Sequence, residues 1–323
     1  MYLHNKLENK VNFFRKIRNL DLILLICIFL VGLISLATMY STDGGQILFH
    51  TKSHFYKFII FTIMMFFISF VNIRFWFSIG YLSYLLIVAM LIWTIHFGIT
   101  ASGSQRWIDL YFINIQPSEL MKIFIILCLA KYFHRKRLDN VNSFYSVIIS
   151  LIVIFLPMSL VIIQPDLGTS LLLLMTGGTV MFLAGVHWTY FSSLIASGMG
   201  IVTLVFQSRD TTWQLLNDYQ YRRIDTFIDP SKDPLGAGYH ITQSKIALGS
   251  GSISGRGFMQ GTQSRLNFLP EKHTDFIFTT LAEEFGFIGG ISLLIMYVLL
   301  LIFCLWSALQ AKDRYSSLLI SGT

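Results

Sequence analysis

The chain has 323 residues, of which 54% are hydrophobic and only 13% are charged, and its net charge is +7. Soluble proteins of this length carry about 25% charged residues, so the composition disfavours a soluble enzyme and indicates a polytopic membrane protein. A nucleic-acid-binding domain is also disfavoured, because no patch of interleaved basic and aromatic residues lies on a soluble segment. We therefore expect an all-α membrane protein.

Uncharged apolar runs that are long enough to cross a bilayer predict eight transmembrane helices. The last run is long for one crossing, so part of it is expected to tilt or to project beyond the lipid. The first run follows basic residues, as a signal peptide does, but its apolar core is too long and no small-residue cleavage site closes it. We interpret it as a retained anchor. The predicted spans are 20–40, 54–72, 76–97, 117–134, 143–163, 167–186, 189–207 and 277–309.

The basic residues indicate how these spans are oriented. They cluster in the N-terminal arm, at Arg74, between Lys131 and Arg137, and around Lys312. Eight crossings from a cytoplasmic N-terminus place all four clusters in the cytoplasm, as the positive-inside rule requires. The predicted organisation is a cytoplasmic arm (1–19), a seven-helix membrane region (20–207), a large extracytoplasmic loop (208–275), and an eighth helix followed by the start of a ninth (276–323).

The start of the fourth span carries the first group of ionisable residues. Pro117 followed by Glu119 is typical of a helix start, which is the structural interpretation of the QPSE tetrapeptide. Glu119 and Lys122 are three residues apart, so they share a helix face and can form an ion pair. Ionisable residues at this depth favour a polar path or site. Trp107, just upstream, is consistent with the aromatic belt at the membrane interface.

The loop 208–275 is much longer than the links of about two to eight residues that join bundle helices, which favours a function for it. Its many glycines allow the backbone to approach a ligand closely. Its basic residues would suit an anionic lipid headgroup such as a phosphate or diphosphate. The alternative is a solvated loop whose charges bind nothing specific. The basic residues are Arg222, Arg223, Lys245, Arg256, Arg265 and Lys272.

Asp275 ends this loop and is expected at the first turn of the last span. Low dielectric near the bilayer would raise the pKa of this carboxylate, whereas a helix N-terminus and nearby cations would lower it. A carboxylate that faces an external cavity is placed to act as a general base. His273 is either its partner or a surface histidine. Glu283 lies deeper in the span and Glu284 points away from Asp275, so we expect Glu284 to pack the helix or to pair with a cation.

Asp166 separates the fifth and sixth spans in the sequence QPDLGT. Proline and glycine on either side predict a turn, so Asp166 is expected to cap the sixth helix, although a polar route through the membrane is the alternative. Cys27, Cys128 and Cys304 all lie inside predicted spans without paired spacing. We interpret these cysteines as small core residues rather than as metal ligands or disulfide partners.

Long motifs in this chain resemble, in order and spacing, the SEDS family of bacterial cell-wall polymerases. The likeness covers most of the chain from about residue 20 and is closer to the RodA-like branch of cell elongation than to the division branch, since Gln105 precedes Arg106. The motifs are GSQRWI (103–108), QPSELMK (116–122), QPDLGTS (164–170), YRRIDTFIDPSKDPLGAGYH (221–240), QSKIALGSG (243–251), LPEKHTDFIF (269–278) and EEFG (283–286).

The resemblance implies a peptidoglycan glycosyltransferase in the bacterial cytoplasmic membrane that polymerises lipid II, a disaccharide-pentapeptide on a lipid diphosphate. It implies that Asp275 is the catalytic base. It also implies that an Arg, a Lys or a divalent cation (Mg²⁺ or Mn²⁺), whose ligands stay unassigned, offsets charge on the diphosphate, and that a class B penicillin-binding protein is the partner. The other residues it assigns to the cavity or to headgroup contacts are Arg106, Trp107, Glu119, Lys122, Arg222, Arg223, Lys245 and His273.

Members of this family have ten spans, and this chain ends in SLLISGT, which corresponds to the start of the ninth. We therefore expect a truncated chain. Two other functions stay open. A lipid II flippase would use Glu119, Lys122 and Asp166 to line a route near the midplane of the membrane. A non-catalytic scaffold would activate its transpeptidase partner without needing the Asp275 carboxylate.

Overall fold

Long apolar helices dominate the computed structural model, which describes residues 21–101, 104–109, 114–229, 231, 236–265, 268 and 272–323. This confirms the predicted all-α membrane architecture. The predicted arm, 1–19, lies outside the described residues. In chain order the elements are α1 (Leu22–Thr42), α2 (Phe49–Phe70), α3 (Ile73–Phe97), β1 (Ile99–Ala101), β2 (Ser104–Asp109), β3 (Asn114–Ile115), α4 (Pro117–Arg135), a 3₁₀ turn (Leu138–Asn140), α5 (Phe144–Ile163), α6 (Leu167–Leu183), α7 (Trp188–Ser208), α8 (Asp218–Ile228), α9 (Ala237–Ser250), α10 (Thr262–Arg265), α11 (Ile277–Gln310) and α12 (Arg314–Gly322).

Eight of the described helices, α1 to α7 and α11, correspond to the predicted spans. Six of these are long and apolar enough to cross a membrane, namely α1, α2, α3, α5, α7 and α11. Helix α6 is apolar but has 17 residues, which at about 1.5 Å per residue is slightly shorter than the hydrocarbon core. Helix α4 carries charged residues near both of its ends. The chain is therefore a multi-pass membrane protein.

The described residues form two compact units. The first unit contains residues 21–70 and 203–303, and the second unit contains residues 71–202 and 304–323. The four segments predicted from the sequence were divided by the side of the membrane on which they lie, whereas these two units are defined by compactness. The predicted division therefore stays a prediction.

The core of the second unit lies between α3, α4, α5 and α6, with α12 packed on α4 and α6. Close helix approach is visible where Gly177 of α6 faces Ile154 of α5, because a Cβ at Gly177 would lie 2.7 Å from the terminal methyl group of Ile154. The largest apolar side chains in this core are fully buried. Their close packing holds α3, α4 and α6 in place, and with them the polar residues at the ends of these helices. The fully buried side chains include Leu91, Met121, Leu129, Phe133 and Leu173.

A small antiparallel sheet, with strand order β1-β2-β3, joins α3 to α4 in the second unit. Ile99 of β1 pairs with Trp107 of β2, and Ile108 of β2 pairs with Ile115 of β3. The sequence did not predict these strands, because runs of two to six residues are too short to show a clear alternation of apolar and polar side chains. The sheet holds the segment that carries Arg106 and Trp107 against the end of α3.

Helix α11 is interrupted at Gly286, where φ is 66° and ψ is −163°. This backbone conformation is essentially restricted to glycine, because a side chain there would collide with the neighbouring peptide groups. The long last span therefore consists of a short helix before Gly286 and a longer helix after it. The sequence predicted that this span exceeds one crossing, and the structure adds that it is broken rather than only tilted.

The loop after α9 satisfies the backbone groups that the break in α11 leaves without helical partners. A helix interruption exposes N–H and C=O groups that are costly to bury in lipid unless other protein groups bind them. Four backbone hydrogen bonds supply these partners from both sides of Gly286. They run from Arg256 N to Glu283 O (3.0 Å), from Gly257 N to Glu284 O (3.0 Å), from Phe287 N to Ser252 O (2.9 Å) and from Ile288 N to Ile253 O (3.2 Å).

Candidate functional site

Asp275 lies in the turn formed by residues 272–276, two residues before α11 begins at Ile277. It is therefore just outside the helix rather than in its first turn, where the sequence pattern had put it. The side chain is exposed. Its carboxylate makes no hydrogen bond or ion pair with any other residue that the structure describes, so it is open to a ligand from outside.

His273, two residues before Asp275, contacts the segment that follows α1. Its Nδ1 lies 3.0 Å from Thr42 Oγ1 and 3.8 Å from Asp43 Oδ1. Its ring also stacks on the ring of His50, with the two centroids 4.2 Å apart and the planes 11° from parallel. His273 is thus a half-buried member of a cluster and not an isolated surface histidine.

Asp43 anchors this cluster to the start of α2. Its Oδ2 accepts hydrogen bonds from the backbone N–H (2.9 Å) and the hydroxyl (2.6 Å) of Thr51. Its side chain is only 2% exposed, whereas that of His273 is 18% exposed. Since one carboxylate oxygen is held by Thr51 and the other faces His273, Asp43 fixes the position of the histidine that precedes Asp275.

A polar cavity of about 580 Å³ opens between the α1–α2 connection and the turn that carries Asp275. Lys272 is buried in its wall, and burial lowers the pKa of this lysine in spite of the neighbouring Asp43 carboxylate. A buried ammonium next to a large cavity favours the entry of an anionic group. The described lining residues are Ser41, Thr42, Asp43, Gly44, Leu48, Phe49, His50, Lys272 and His273.

The predicted headgroup residues lie on two helices of the first unit. Arg222 is exposed on α8 and Lys245 is exposed on α9, and neither forms an ion pair with another residue that the structure describes. Arg223 is also on α8, but its side chain lies outside what the structure describes. Helix α8 is held by Arg209, which forms a bidentate ion pair with Asp225 at 2.9 Å and 2.7 Å. Arg222 and Lys245 form no hydrogen bond or ion pair with Asp275 in the structure.

Glu283 and Glu284 lie in the short helix before the break in α11, and both are buried. Glu283 Oε1 accepts hydrogen bonds from the Thr262 hydroxyl (3.1 Å) and from the backbone of Gln263 (3.0 Å). Glu284 Oε1 accepts one from the Ser41 hydroxyl of α1. Glu284 therefore joins α11 to α1, as expected for a packing role, and neither glutamate forms an ion pair with a cation among the described residues.

In the second unit, Arg106 of β2 is held at the turn between α5 and α6. Its guanidinium forms an ion pair with Asp166 Oδ2 at 3.3 Å and donates hydrogen bonds to the carbonyl oxygens of Gln164 (3.1 Å) and Pro165 (2.6 Å). Asp166 also accepts a hydrogen bond from Thr169 N at 3.2 Å and is the N-cap of α6. The cap predicted for Asp166 is confirmed, and its pairing with Arg106 was not foreseen.

Glu119 and Lys122 form the predicted ion pair on the first turns of α4, with Glu119 Oε2 2.8 Å from Lys122 Nζ. The Glu119 side chain is 53% exposed and that of Lys122 is 28% exposed. Trp107 is half-buried on β2. These residues and Arg106 belong to the second unit, whereas Asp275 belongs to the first. That all of them line one cavity therefore stays a prediction.

The described residues do not contain a cluster of three or more His, Cys, Asp or Glu side chains that would hold a metal ion. In the cluster formed by His273, His50 and Asp43, the donor groups are occupied by hydrogen bonds and ring contacts within the protein. These residues therefore do not fit a preformed site for the cation that the family resemblance implies, and no step below depends on a metal.

A model of the FtsW/RodA/SpoVE family, described as Cell cycle protein, matches residues 16–323. The chain belongs to this family. Among its curated FtsW/RodA/SpoVE-type relatives is the peptidoglycan glycosyltransferase MrdB of Escherichia coli strain K12, which is 41% identical over 239 residues. That match covers 74% of this chain and 62% of the relative, so the chain spans less than two thirds of the length of MrdB.

Two solved structures share the fold of this FtsW/RodA/SpoVE-family chain. A peptidoglycan synthase complex, whose structure concerns the coordination of polymerization and crosslinking, aligns with a TM-score of 0.76 at 24% identity, covering 93% of this chain and 81% of the other. The rod shape-determining protein RodA of Thermus thermophilus aligns with a TM-score of 0.66 at 21% identity, covering 93% of this chain and 78% of the other. The match to the family model confirms the family resemblance seen in the sequence motifs.

Sequence reasoning missed Asp43 and His50 in this family member. A signal was present, because the stretch YSTDGGQILFHTKSH (40–54) is polar and lies between two apolar spans. The sequence pattern started the second span at residue 54, whereas α2 begins at Phe49. His50 and Thr51 therefore occupy the first turn of a helix, where they face the loop that carries Asp43.

Proposed function

We propose that this chain catalyses glycosyl transfer in peptidoglycan synthesis, joining lipid II disaccharide units into glycan strands. The observation that carries the proposal is the exposed Asp275 carboxylate, which has no partner among the described residues and lies two residues after the cavity-lining His273. A carboxylate in this position supports general-base chemistry on a substrate that approaches along the membrane surface.

The proposed reaction needs one base and one site for the leaving group. The Asp275 carboxylate accepts the proton of a sugar 4-hydroxyl as that oxygen attacks the anomeric carbon of a second lipid II molecule. A new C–O bond forms, the bond between the anomeric carbon and the diphosphate oxygen breaks, and the lipid diphosphate leaves with the electron pair. Positive charge close to the leaving diphosphate stabilises this transition state, and the buried ammonium of Lys272 is a candidate for that role.

The setting of the reaction is part of the same proposal. The N-terminus lies in the cytoplasm, and Asp275 with the loop 208–275 faces the outside of the bacterial cytoplasmic membrane, as the distribution of basic residues predicts. The partner is a class B penicillin-binding protein that crosslinks the new strand. The fold shared with a peptidoglycan synthase complex supports this partner. A divalent cation (Mg²⁺ or Mn²⁺) that offsets charge on the diphosphate stays a prediction.

The test measures polymer formation from labelled lipid II by gel electrophoresis. The 323-residue chain is purified alone, with a class B penicillin-binding protein, and as a fusion that carries the C-terminal residues of MrdB beyond the aligned region. Each form is compared with Asp275→Asn, which keeps the shape of the side chain but removes the base. Asp210→Asn is the matched control, because its side chain is 91% exposed and lies on the turn after α7.

Polymer from the unmodified protein and from Asp210→Asn, but not from a folded Asp275→Asn variant, is the expected result. Polymer from Asp275→Asn as well would remove this carboxylate from the mechanism. If no form makes polymer while the protein is folded and the partner is present, the proposal fails, and transport of labelled lipid II across vesicles then tests the flippase alternative. Activation of the partner transpeptidase by the Asp275→Asn variant would favour the scaffold alternative.

A further inference from the structure

Two adjacent carboxylates, Glu283 and Glu284, are buried in the first unit without a cation beside them. Glu283 is 0% exposed and Glu284 is 1% exposed. Neither forms an ion pair with a Lys, Arg or His among the described residues. The guanidinium of Arg256 donates a hydrogen bond to the Thr262 hydroxyl at 3.1 Å and forms no ion pair with either carboxylate. Buried like charges that are this close in sequence and space are costly unless a proton or a bound cation compensates them.

Each of these carboxylates keeps one oxygen without a partner, although Glu284 is held by the backbone of Met259 as well as by Ser41. The Oε1 atoms accept the hydrogen bonds described above from Ser41, Thr262 and the backbone of Gln263. The Oε2 atoms of both glutamates are buried and have no hydrogen-bond partner in the structure. The side-chain oxygen of Gln263, Oε1, is a third buried acceptor without a partner. Native proteins rarely leave several buried acceptors unpaired in one place, so the cluster indicates a missing ligand.

Gly261 lies against both glutamate side chains. A Cβ built at Gly261 would lie 2.9 Å from Glu283 Oε2 and 3.4 Å from Glu284 Cγ. The free carboxylate oxygen of one glutamate and the side chain of the other therefore border the same point. Gln263 follows two residues later and holds the opposite oxygen of Glu283 through its backbone. The absence of a side chain at residue 261 leaves room between these groups.

The chemistry of the unsatisfied groups identifies the ligand class. The unpaired atoms are all oxygens, two from carboxylates and one from an amide, and the Thr262 and Ser41 hydroxyl oxygens adjoin them. Hard divalent cations prefer such ligands, and one divalent cation compensates both negative charges, which would otherwise require a proton on each carboxylate. Mg²⁺ retains several water molecules in most protein sites, whereas Ca²⁺ accepts a shell of protein oxygens. Because both glutamates are buried, the site suits Ca²⁺ better than Mg²⁺.

We propose that Glu283, Glu284 and Gln263 form a binding site for a structural Ca²⁺-class cation. The cation joins α1, the loop before α10 and the short helix of α11, and so locks the loop that covers the break at Gly286. This site is distinct in role from the cation that the family resemblance implies, because its ligands are buried protein oxygens of α10 and α11 rather than groups that contact the substrate. The inference does not depend on the proposed enzymatic activity.

The test is cation binding by the purified full chain in detergent. The protein is treated with chelator, desalted and titrated with CaCl₂ or MgCl₂ at constant NaCl and pH 7, and its unfolding temperature is followed by tryptophan fluorescence. At a hundredfold excess over the dissociation constant, Ca²⁺ is expected to raise the unfolding temperature by about 5 °C or more. The metal content of untreated protein, measured by elemental analysis, is expected to be one calcium per chain.

Two variants assign the effect to this site. Glu283→Gln combined with Glu284→Gln removes both charges while preserving side-chain size, so this variant is expected to remain folded and to lose the response to Ca²⁺. Asp210→Asn, which changes a carboxylate that is 91% exposed, is expected to respond as the unmodified chain does. If the double variant does not fold, the elemental analysis and the Ca²⁺ titration of the unmodified chain still decide the proposal.

Two results would overturn the proposal. The first is that neither cation changes the unfolding temperature and that elemental analysis finds no metal bound to the untreated protein. The second is a response of the unmodified chain that depends on pH between 5 and 8 but not on Ca²⁺, which would show that a shared proton compensates the two carboxylates. A Ca²⁺ response that is unchanged in a folded double variant would place the cation elsewhere and would also refute the assignment.

Discussion

Replacing Gly286 by alanine should damage the first unit more than any other single methyl group added to α11. Gly286 has a positive φ, and it is the point where α11 breaks and where the loop after α9 is bound. Alanine would need a backbone conformation that only glycine adopts readily. It would also place a methyl group against the loop, which cannot move without losing its hydrogen bonds to the helix.

The magnitude follows from two contributions. Forcing alanine into the glycine conformation costs about 1–3 kcal/mol. The new Cβ would also overlap the backbone nitrogen of Gly255 and lie 2.5 Å from the carbonyl oxygen of Ile253. Relief of this overlap loosens the hydrogen bonds of Phe287 N (2.9 Å) and Ile288 N (3.2 Å), each of which contributes about 1 kcal/mol. Gly286→Ala should therefore lower the free energy of unfolding by about 3–5 kcal/mol.

The assay is thermal unfolding in detergent, followed by tryptophan fluorescence, combined with limited proteolysis of the loop. An energy loss of this size should lower the unfolding temperature by about 10 °C and expose residues 251–261 to protease. Gly290→Ala is the matched control. It lies in the helix four residues further on, and a Cβ there would make only an ordinary contact of 3.4 Å with Phe278. Alanine at that position should be neutral or stabilising by up to about 1 kcal/mol.

The reasoning would be refuted if both alanine variants unfolded within about 2 °C of the unmodified chain. That result would mean that α11 can run through Gly286 without a break, or that the loop is not bound to it. Equal destabilisation by Gly286→Ala and Gly290→Ala would point to a general effect of side chains along α11 rather than to the backbone conformation of Gly286.

Three further predictions concern single charged groups. Asp166→Asn keeps the cap of α6 but removes the ion pair with Arg106, so the free energy of unfolding should fall by about 1–2 kcal/mol in a thermal denaturation assay. Glu119→Gln breaks an exposed ion pair worth at most about 1 kcal/mol, so the unfolding temperature should hardly change while polymer formation falls, if Glu119 lines the cavity. Burial lowers the pKa of Lys272 in spite of the neighbouring Asp43 carboxylate, so the unfolded chain binds this proton more tightly than the folded chain does. The free energy of unfolding should therefore rise with pH between the folded and the unfolded pKa values of this lysine, and Lys272→Met should remove that rise.

Each of these has a contradicting outcome. An unchanged unfolding temperature in Asp166→Asn would mean that Arg106 is held by the carbonyl oxygens of Gln164 and Pro165 alone. Full polymer formation by Glu119→Gln would remove this residue from the proposed cavity. An identical pH profile for Lys272→Met and the unmodified chain would show that other groups dominate alkaline stability.

The features that could be read from the sequence are those that depend on neighbouring residues. The eight predicted spans correspond to α1–α7 and α11, because runs of apolar residues of this length have few stable conformations other than a helix in lipid. The ion pair between Glu119 and Lys122 follows from helical spacing, and the cap at Asp166 follows from the turn chemistry of QPDLGT.

The features that sequence reasoning missed depend on contacts between distant segments. His273 stacks on His50, although 223 residues separate them in the chain, and Glu284 bonds to Ser41 over a separation of 243 residues. No local pattern reports such contacts. The strands β1 to β3 were missed for a different reason, since they are short and are stabilised by pairing with each other rather than by an alternating sequence.

The sequence by itself determined that this is a multi-pass helical membrane protein of the FtsW/RodA/SpoVE family and that Asp275 ends its large loop, because composition, periodicity and motifs are properties of residues close together in the chain. Only the tertiary structure decided that Asp275 stands just before α11, that Asp43 orients His273, and that Glu283 and Glu284 are buried with carboxylate oxygens that have no hydrogen-bond partner. Those facts depend on which distant segments pack together. Packing is selected by the shape of the whole core and by the pairing of buried polar groups, and neither is a property of any short stretch.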